Sequence, residues 1–134
     1  MSEKVVNAAL LGFGTVGTGV YKVIKSQEQE MTAKLGCQVK ITKILVRNLE
    51  KASKKVEDPS VLTTDWADIE GDPSIDIVIE LIGGIEPART YILAALKAGK
   101  NVVTANKDLI AVHGKEILEM AIAALLQGEN VLLS

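Results

Sequence analysis

The sequence predicts an α/β fold in which helices cover both faces of a doubly wound, mostly parallel sheet. Apolar runs of strand length alternate along the chain with stretches of helical periodicity, and short turn clusters separate them. The first run, residues 5–11, is apolar almost throughout, which is typical of a strand buried on both faces. The 134 residues suit a single domain, and no repeat or linker divides them.

Four further elements are predicted in the first half of the chain. A helix is expected over residues 15–35, where apolar residues recur at helical spacing, and Gly36 is placed to end it. Residues 39–46 mix lysines with β-branched residues, so they predict a strand that is more exposed than the first. The charged residues 47–58 predict a loop with a short helix, and residues 61–64 predict a short strand.

The second half of the chain continues the alternation. The predicted elements are a strand at residues 76–82, a helix at 86–99, a strand at 101–103, a helix at 112–126 and a further strand beginning at 131–133. The sole histidine, His113, lies beside Gly114 at a predicted helix start. Capping or solvent exposure is expected for it, because a lone histidine without cysteine partners is not a metal site.

The composition excludes several classes of protein. The formal net charge is −2 and the aromatic fraction is only 3%, so a nucleic-acid-binding surface is not expected. A single cysteine, Cys37, cannot form an internal disulfide or a Cys-rich zinc site, and it fits a reducing, cytoplasmic location. No apolar run reaches the roughly 18 residues of a membrane span, and no cationic leader precedes the first strand. We therefore expect a soluble protein that binds no metal.

A glycine-rich turn joins the first strand to the first helix. Gly12, Gly14 and Gly17 have the G-x-G-x-x-G spacing. In this setting the first glycine permits a tight turn, the second lets a pyrophosphate approach the main chain, and the third lets the helix pack closely on the sheet. The N–H groups of Thr15 and Val16 would then bind the anion, aided by the helix dipole. The predicted contacts are those of a Rossmann-type dinucleotide site, at Gly12, Phe13, Gly14, Thr15, Val16 and Gly17.

The residues after the second strand bear on which dinucleotide binds. An Asp or Glu there would accept a hydrogen bond from the ribose 2′-hydroxyl of NAD, but this sequence has Arg47. A guanidinium can pair with a 2′-phosphate through two charge-assisted hydrogen bonds, and Lys51, Lys54 and Lys55 follow closely to add positive potential. The sequence therefore predicts NADP as the preferred cofactor, with NAD as the weaker one.

Residues 102–107, Val-Val-Thr-Ala-Asn-Lys, end a predicted strand at the same edge of the sheet as the glycine turn. Ligands of open α/β sheets collect at this edge. Thr104 and Asn106 offer neutral hydrogen bonds to a ribose or a carboxamide, and Lys107 can hold a carboxylate or polarise a carbonyl. Glu80 interrupts the neighbouring apolar strand, either as a buried carboxylate that hydrogen-bonds the cofactor edge or as an outward-facing residue.

Four segments in combination resemble the amino-terminal half of homoserine dehydrogenase, across about residues 5–121. They are the glycine turn, the apolar strand at 76–82, the Gly-Gly-x-Glu-Pro-Ala sequence at 83–88 and residues 102–107. The resemblance implies an oxidoreductase that interconverts L-homoserine and L-aspartate 4-semialdehyde by hydride transfer with NAD(P), in threonine, isoleucine and methionine biosynthesis.

The resemblance also implies roles for particular residues. Lys107 matches the catalytic lysine that reaches the substrate and the nicotinamide, and Arg47 matches the position where the family often meets the 2′-phosphate. Residues 12–17 match the cofactor loop, and Gly83 and Thr104 fall where the nicotinamide half would pass.

In the same family a second, carboxyl-terminal domain carries the proton-transfer groups and the homodimer interface. The resemblance therefore implies that residues 1–134 are the NAD(P)-binding domain alone, which should bind cofactor but catalyse poorly or not at all. Two other hypotheses stay open. The chain could be a self-contained dinucleotide-binding sensor or interaction module, or part of another amino-acid dehydrogenase of related build.

Overall fold

The computed structural model of the chain describes residues 4–82, 87–104, 107–128 and 132–133. The described strands are β1 (Lys4–Leu11), β2 (Cys37–Leu45), β3 (Leu62–Thr63), β4 (Ile77–Glu80), β5 (Asn101–Thr104) and β6 (Leu132–Leu133). They form a six-stranded sheet in the order β3-β2-β1-β4-β5-β6. Every neighbouring pair runs parallel. The predicted doubly wound α/β fold is confirmed, because the chain builds outward from β1 first on one side and then on the other.

The helices connect the parallel strands. They are α1 (Thr15–Ser26), α2 (Glu28–Leu35), α3 (Leu49–Ser53), α4 (Ala67–Glu70), α5 (Ala88–Lys97) and α6 (Lys107–Leu126), with a 3-10 turn at Pro59–Val61. None of the described helices combines the length and the apolar character that a membrane span requires.

Both faces of the central strand β1 are buried, which explains why its sequence is apolar without alternation. Val6, Ala8 and Leu10 are completely buried in the core that α1, α2 and α6 cover. Ala9 and Leu11 are equally buried, but they belong to the core on the opposite face, beneath α5. Successive side chains of a strand point to opposite faces, so both faces of β1 must be apolar.

The prediction of a single long helix over residues 15–35 is wrong, because two helices, α1 and α2, occupy this range. Gln27, at φ −105° and ψ 14°, ends α1 and precedes α2. The hydroxyl of Ser26 donates to the carbonyl oxygen of Val23 at 3.1 Å, a local bond of the kind by which serine competes with helix propagation. Beyond the break, Met31 is completely buried in the core. The apolar pattern runs through both helices and therefore did not mark the break.

The last predicted helix, at residues 112–126, begins earlier than expected, at Lys107. His113 has non-helical backbone angles, φ −121° and ψ 21°, so the predicted start coincides with a kink inside α6. His113 is exposed, as the sequence led us to expect. The short helix α4 was not predicted, since four residues are too few to show a helical period.

The other predicted boundaries lie within one or two residues of those observed. The strand β2 is more exposed than β1, as predicted, because Lys40 is exposed and Ile41, Thr42 and Lys43 are only half-buried.

Candidate functional site

The glycine turn lies where the carboxyl ends of three strands meet. Gly12 has a φ of +105°, a conformation that favours glycine, and a Cβ there would lie 3.3 Å from the carbonyl carbon of Leu81. The N–H of Gly12 donates to the carbonyl oxygen of Leu45 at 3.1 Å. The turn is therefore fitted closely against the residue that ends β2 and the residue that follows β4.

The other two glycines of the motif differ in their surroundings. A Cβ on Gly17 would overlap with the carbonyl oxygen of Gly12. The helix α1 therefore packs so closely against the turn that only glycine fits at position 17. Gly14 is exposed, and a Cβ there would meet no protein atom within 4 Å. Gly12 and Gly17 are thus explained by the fold itself, whereas nothing within the described protein requires a glycine at position 14.

The amino terminus of α1 is uncapped by side chains. Gly14 is its N-cap residue, no side chain bonds the first turn, and that turn contains no acidic residue. The N–H of Thr18 donates to the carbonyl oxygen of Gly14 at 2.9 Å and begins the helical ladder. The preceding N–H groups, including those of the exposed Thr15 and the half-buried Val16, have no helical acceptor. Such a terminus is suited to bind an anion.

A lysine from the loop after α3 contacts the glycine turn. The ammonium of Lys55 donates to the carbonyl oxygen of Phe13 at 3.2 Å and lies 5.5 Å from the centre of its ring. The hydroxyl of Thr18 donates to the same carbonyl oxygen at 3.3 Å. The Phe13 ring is buried and meets Tyr21 edge-on, with ring centres 5.6 Å apart. These contacts fix the loop and place a positive charge beside it.

An open cavity of about 660 Å³ extends from this turn along the carboxyl ends of the strands. This volume is typical of small-molecule and cofactor sites. The described residues that line it are Gly12, Phe13, Gly14, Leu45, Val46, Arg47, Asn48, Lys51, Ala52, Lys55, Thr64, Leu81, Ile82, Pro87 and Tyr91. The cavity lies beside the boundary between β1 and β4, where the strand order reverses and where open α/β sheets bind their ligands.

The charged residues of this lining are all basic among those that the structure describes. Arg47, Lys51 and Lys55 contribute positive charge, and Arg47 is exposed just beyond β2. Asn48 caps α3 by accepting a hydrogen bond from the Lys51 N–H at 3.0 Å. Lys54 was expected to contribute as well, but it is exposed and lies outside the described lining. The positive charge of the described lining suits an anionic ligand.

Sequence reasoning missed an aromatic pair of which one ring lines the cavity. Tyr91 lines the cavity from α5 and stacks on Trp66, with ring centres 4.8 Å apart and an angle of 26° between the planes. Trp66 in turn donates its indole N–H to Glu70 at 3.3 Å. The two rings are 25 residues apart in sequence, and no periodic pattern connects them. Only the scarcity of aromatic residues in this chain could have drawn attention to them.

The burial of Glu80 excludes the outward-facing position that the sequence had left open. Glu80 is only 6% exposed and accepts hydrogen bonds from the Thr104 hydroxyl at 2.8 Å and from the Ile82 N–H at 2.6 Å. The bond to Thr104 links the ends of β4 and β5. Thr104 itself is half-buried and is not one of the residues that line the cavity.

Comparison with known sequences decides the family. The family described as the NAD-binding domain of homoserine dehydrogenase matches residues 12–127 of the chain. The chain belongs to this homoserine dehydrogenase family. It is an NAD(P)-binding domain by that membership, and the Rossmann-type fold, the uncapped helix terminus and the basic cavity agree with it.

Individual homoserine dehydrogenases match over most of this chain. The enzyme of Bacillus subtilis is 47% identical over 118 residues, which cover 88% of this chain and 27% of that protein. The enzyme of Lactococcus lactis is 49% identical over 121 residues, which cover 87% of this chain and 28% of that protein. The chain thus spans little more than a quarter of the length of these curated relatives.

A solved structure gives the same relationship in three dimensions. The crystal structure of a homoserine dehydrogenase from Thiobacillus denitrificans matches with a TM-score of 0.74 and 41% sequence identity, over 98% of this chain and 30% of that chain. The resemblance inferred from the four sequence segments is therefore confirmed.

The remaining residues expected in a homoserine dehydrogenase site are described only in part. Gly83 and Asn106 lie outside the described residues. The backbone of Lys107 begins α6, but its side chain lies outside the described part of the chain. Within the described residues, no group of His, Cys, Asp and Glu side chains is arranged to hold a metal ion.

Proposed function

We propose that this chain is the cofactor-binding part of an NADP-preferring homoserine dehydrogenase that interconverts L-homoserine and L-aspartate 4-semialdehyde. The observation that carries the proposal is the cavity beside the glycine turn, whose described charged residues are the cations Arg47, Lys51 and Lys55. The 2′-phosphate distinguishes NADP from NAD, and positive charge without an opposing carboxylate favours the phosphorylated form.

The residues of the cavity fit a dinucleotide. The uncapped N–H groups at the start of α1 suit the pyrophosphate, and the open space above Gly14 leaves room for it. Arg47 suits the 2′-phosphate through paired hydrogen bonds, with Lys51 and Lys55 adding positive potential. Pro87 and Tyr91 supply an apolar wall suited to the adenine ring.

When bound, the nicotinamide ring supplies or accepts the hydride of the reaction. The protein then binds and orients the cofactor and the substrate, and it excludes competing reactions. In our proposal Thr104 contacts the nicotinamide half and Gly83 lies beside it. Lys107 anchors the substrate and helps to neutralise charge on the carbonyl oxygen. The proton-transfer groups and the homodimer interface belong to a second domain of the complete enzyme, and this chain binds cofactor on its own.

The activity is tested with the complete protein that contains this chain. Purified protein is mixed with L-homoserine and NADP⁺, and NADPH formation is followed by its absorbance. We expect NADPH to form with homoserine, and the back reaction to consume it with aspartate 4-semialdehyde. Cofactor binding without turnover would leave the sensor module as the function. Turnover only with another amino acid or hydroxy acid would indicate a related dehydrogenase.

The cytoplasm is the proposed location, because the only cysteine of the chain suits a reducing compartment. Fractionation of cells followed by immunoblotting tests it, and recovery in an exported fraction would contradict it.

A further inference from the structure

A buried carboxyl group lies at the end of the otherwise apolar strand β4. The other residues of that strand, Ile77, Val78 and Ile79, are at most 3% exposed, and Glu80 is 6% exposed. Burying a charged group is costly unless it is hydrogen-bonded, so a glutamate here requires donors. The structure supplies the Ile82 N–H to Oε2 at 2.6 Å.

The second hydrogen bond of Glu80 fixes the direction in which the Thr104 hydroxyl donates. The Thr104 hydroxyl donates its proton to Oε1 of Glu80 at 2.8 Å. An ionised carboxylate can only accept hydrogen bonds, and a hydroxyl has one proton to donate. Once that proton is committed to Glu80, the oxygen of Thr104 can only accept from any further partner. Glu80 thereby selects which chemical groups Thr104 can recognise.

The register of the sheet places this pair relative to the cavity. Leu11 pairs with Glu80, and Glu80 pairs with Thr104, so the three residues form one row across β1, β4 and β5. Neighbouring strands lie about 5 Å apart, which puts Thr104 about 10 Å from Leu11 along the row. Arg47 follows β2, on the other side of β1. A dinucleotide with its 2′-phosphate at Arg47 and its pyrophosphate at the glycine turn would direct its nicotinamide toward Thr104.

We propose that Glu80 is a positioning residue, which holds Thr104 as a hydrogen-bond acceptor for the carboxamide N–H of the nicotinamide. This inference rests on the proposed dinucleotide-binding function and adds a specificity element to it. The carboxamide is recognised through its NH₂ group, so an analogue that has an acetyl group at that position loses the contact.

The alternative is that Glu80 only ties the ends of β4 and β5 together. Loss of that role would lower the stability of the fold and would weaken the binding of all ligands alike. It would not discriminate between two ligands that differ only in the NH₂ group. The ratio of their dissociation constants therefore separates positioning from a purely structural role.

The experiment measures binding of NADP⁺ and of its 3-acetylpyridine analogue to the chain by calorimetry. The wild-type chain is expected to prefer NADP⁺ about five- to tenfold, the value of one ordinary hydrogen bond. In Glu80→Gln the side-chain oxygen keeps the bond from the Ile82 N–H, and the NH₂ group donates to Thr104. The Thr104 hydroxyl is then free to donate to the carbonyl group that both ligands share, so the ratio of their dissociation constants should fall close to one. Thr104→Val should give the same loss, and Thr104→Ser, which keeps the hydroxyl, should retain the preference.

Glu119→Gln is the matched control. Glu119 is also a buried carboxylate, 5% exposed, but it belongs to α6 on the opposite face of the sheet. Its replacement should leave the ratio as in wild type. Circular dichroism verifies folding of each variant, and if Glu80→Gln does not fold, the wild-type and Thr104→Val ratios decide.

The outcomes separate the two proposals. A wild-type chain that binds neither ligand overturns both the proposed function and this inference. Binding of NADP⁺ without preference over the analogue overturns only the inference. A preference that persists in Glu80→Gln or in Thr104→Val also overturns it, whereas its joint loss in both variants supports it.

Discussion

Gly17 lies so close to the main chain of Gly12 that a Cβ at position 17 would overlap with the Gly12 carbonyl oxygen. The contact joins the first turn of α1 to the tight turn that follows β1. The backbone fixes where the Cβ lies, and the Gly12 oxygen is itself a backbone atom, so no rotamer change can relieve the overlap. The close packing of α1 on the sheet therefore depends on this glycine.

We accordingly expect Gly17→Ala to lower the free energy of unfolding by about 2–3 kcal/mol, as is typical of overpacking. Gly19→Ala is the matched control, because a Cβ at position 19 meets nothing within 4 Å. Alanine should stabilise the helix there by about 0.5–1 kcal/mol. Urea unfolding measures both values. Equal stability of the two variants would contradict the contact.

Arg47 is expected to determine the cofactor preference. Replacing it with alanine should weaken NADP⁺ binding by about 10- to 100-fold, the value of charge-assisted hydrogen bonds, and should change NAD⁺ binding little. Lys54→Ala is the control, since Lys54 is a nearby exposed cation outside the described cavity lining. Calorimetric titration with both nucleotides checks the prediction. Equal affinities of the wild-type chain for NADP⁺ and NAD⁺ would show that there is no preference to explain.

Trp66 should report on occupation of the cavity. It is the only tryptophan of the chain, and it stacks on Tyr91, which lines the cavity. A ligand that contacts Tyr91 should alter the surroundings of the indole, so NADP⁺ should produce a saturable change in fluorescence excited selectively at tryptophan. Tyr91→Leu should reduce this response. Emission that stays constant at saturating NADP⁺ would mean that the ligand does not contact Tyr91.

Asp72 provides a prediction for acid stability. The hydroxyl and the N–H of Ser74 donate to Oδ1 of Asp72 at 2.6 and 2.9 Å, and these bonds hold the pKa of Asp72 below its ordinary value of 3.8. A folded-state pKa below the unfolded one adds stability above the unfolded value, and this stability is lost as the pH falls through the folded value. Asp72 is only half-buried, so screening by solvent keeps the effect on stability small.

Ser74→Ala removes the hydroxyl donor and leaves the N–H in place. We expect the pKa of Asp72 to move back toward its ordinary value, so stability should fall less steeply from about pH 5 to pH 3 than in wild type. NMR titration of the Asp72 carboxyl group, with urea unfolding at each pH, tests this. An unchanged pKa in Ser74→Ala would show that the hydroxyl bond has no such effect.

Much of the fold was predictable because its signals are local. Strands such as β1 are buried on both faces, so their residues are apolar without interruption, and Gly12 follows directly where the turn requires a positive φ. The position of the glycine motif between a strand and a helix was enough to predict the edge of the sheet at which the cavity lies.

Two kinds of feature escaped prediction. The break at Gln27 was hidden because apolar residues continue at helical spacing on both sides of it. The stacking of Trp66 on Tyr91 and the hydrogen bond from Thr104 to Glu80 join residues that only the folded sheet brings together. A sequence shows that Glu80 interrupts an apolar strand, but not which partner compensates its burial.

Titration of the chain with NADP⁺, compared with Gly14→Val, tests the central claim most directly. Position 14 is exposed at the start of α1, and no protein atom lies within 4 Å of a Cβ there, so the substitution should preserve the fold while its side chain occupies the space proposed for the pyrophosphate. We predict saturable binding by the wild-type chain and none by the variant. A folded wild-type chain that shows no saturable binding of NADP⁺, or a variant that binds it equally well, would contradict the account.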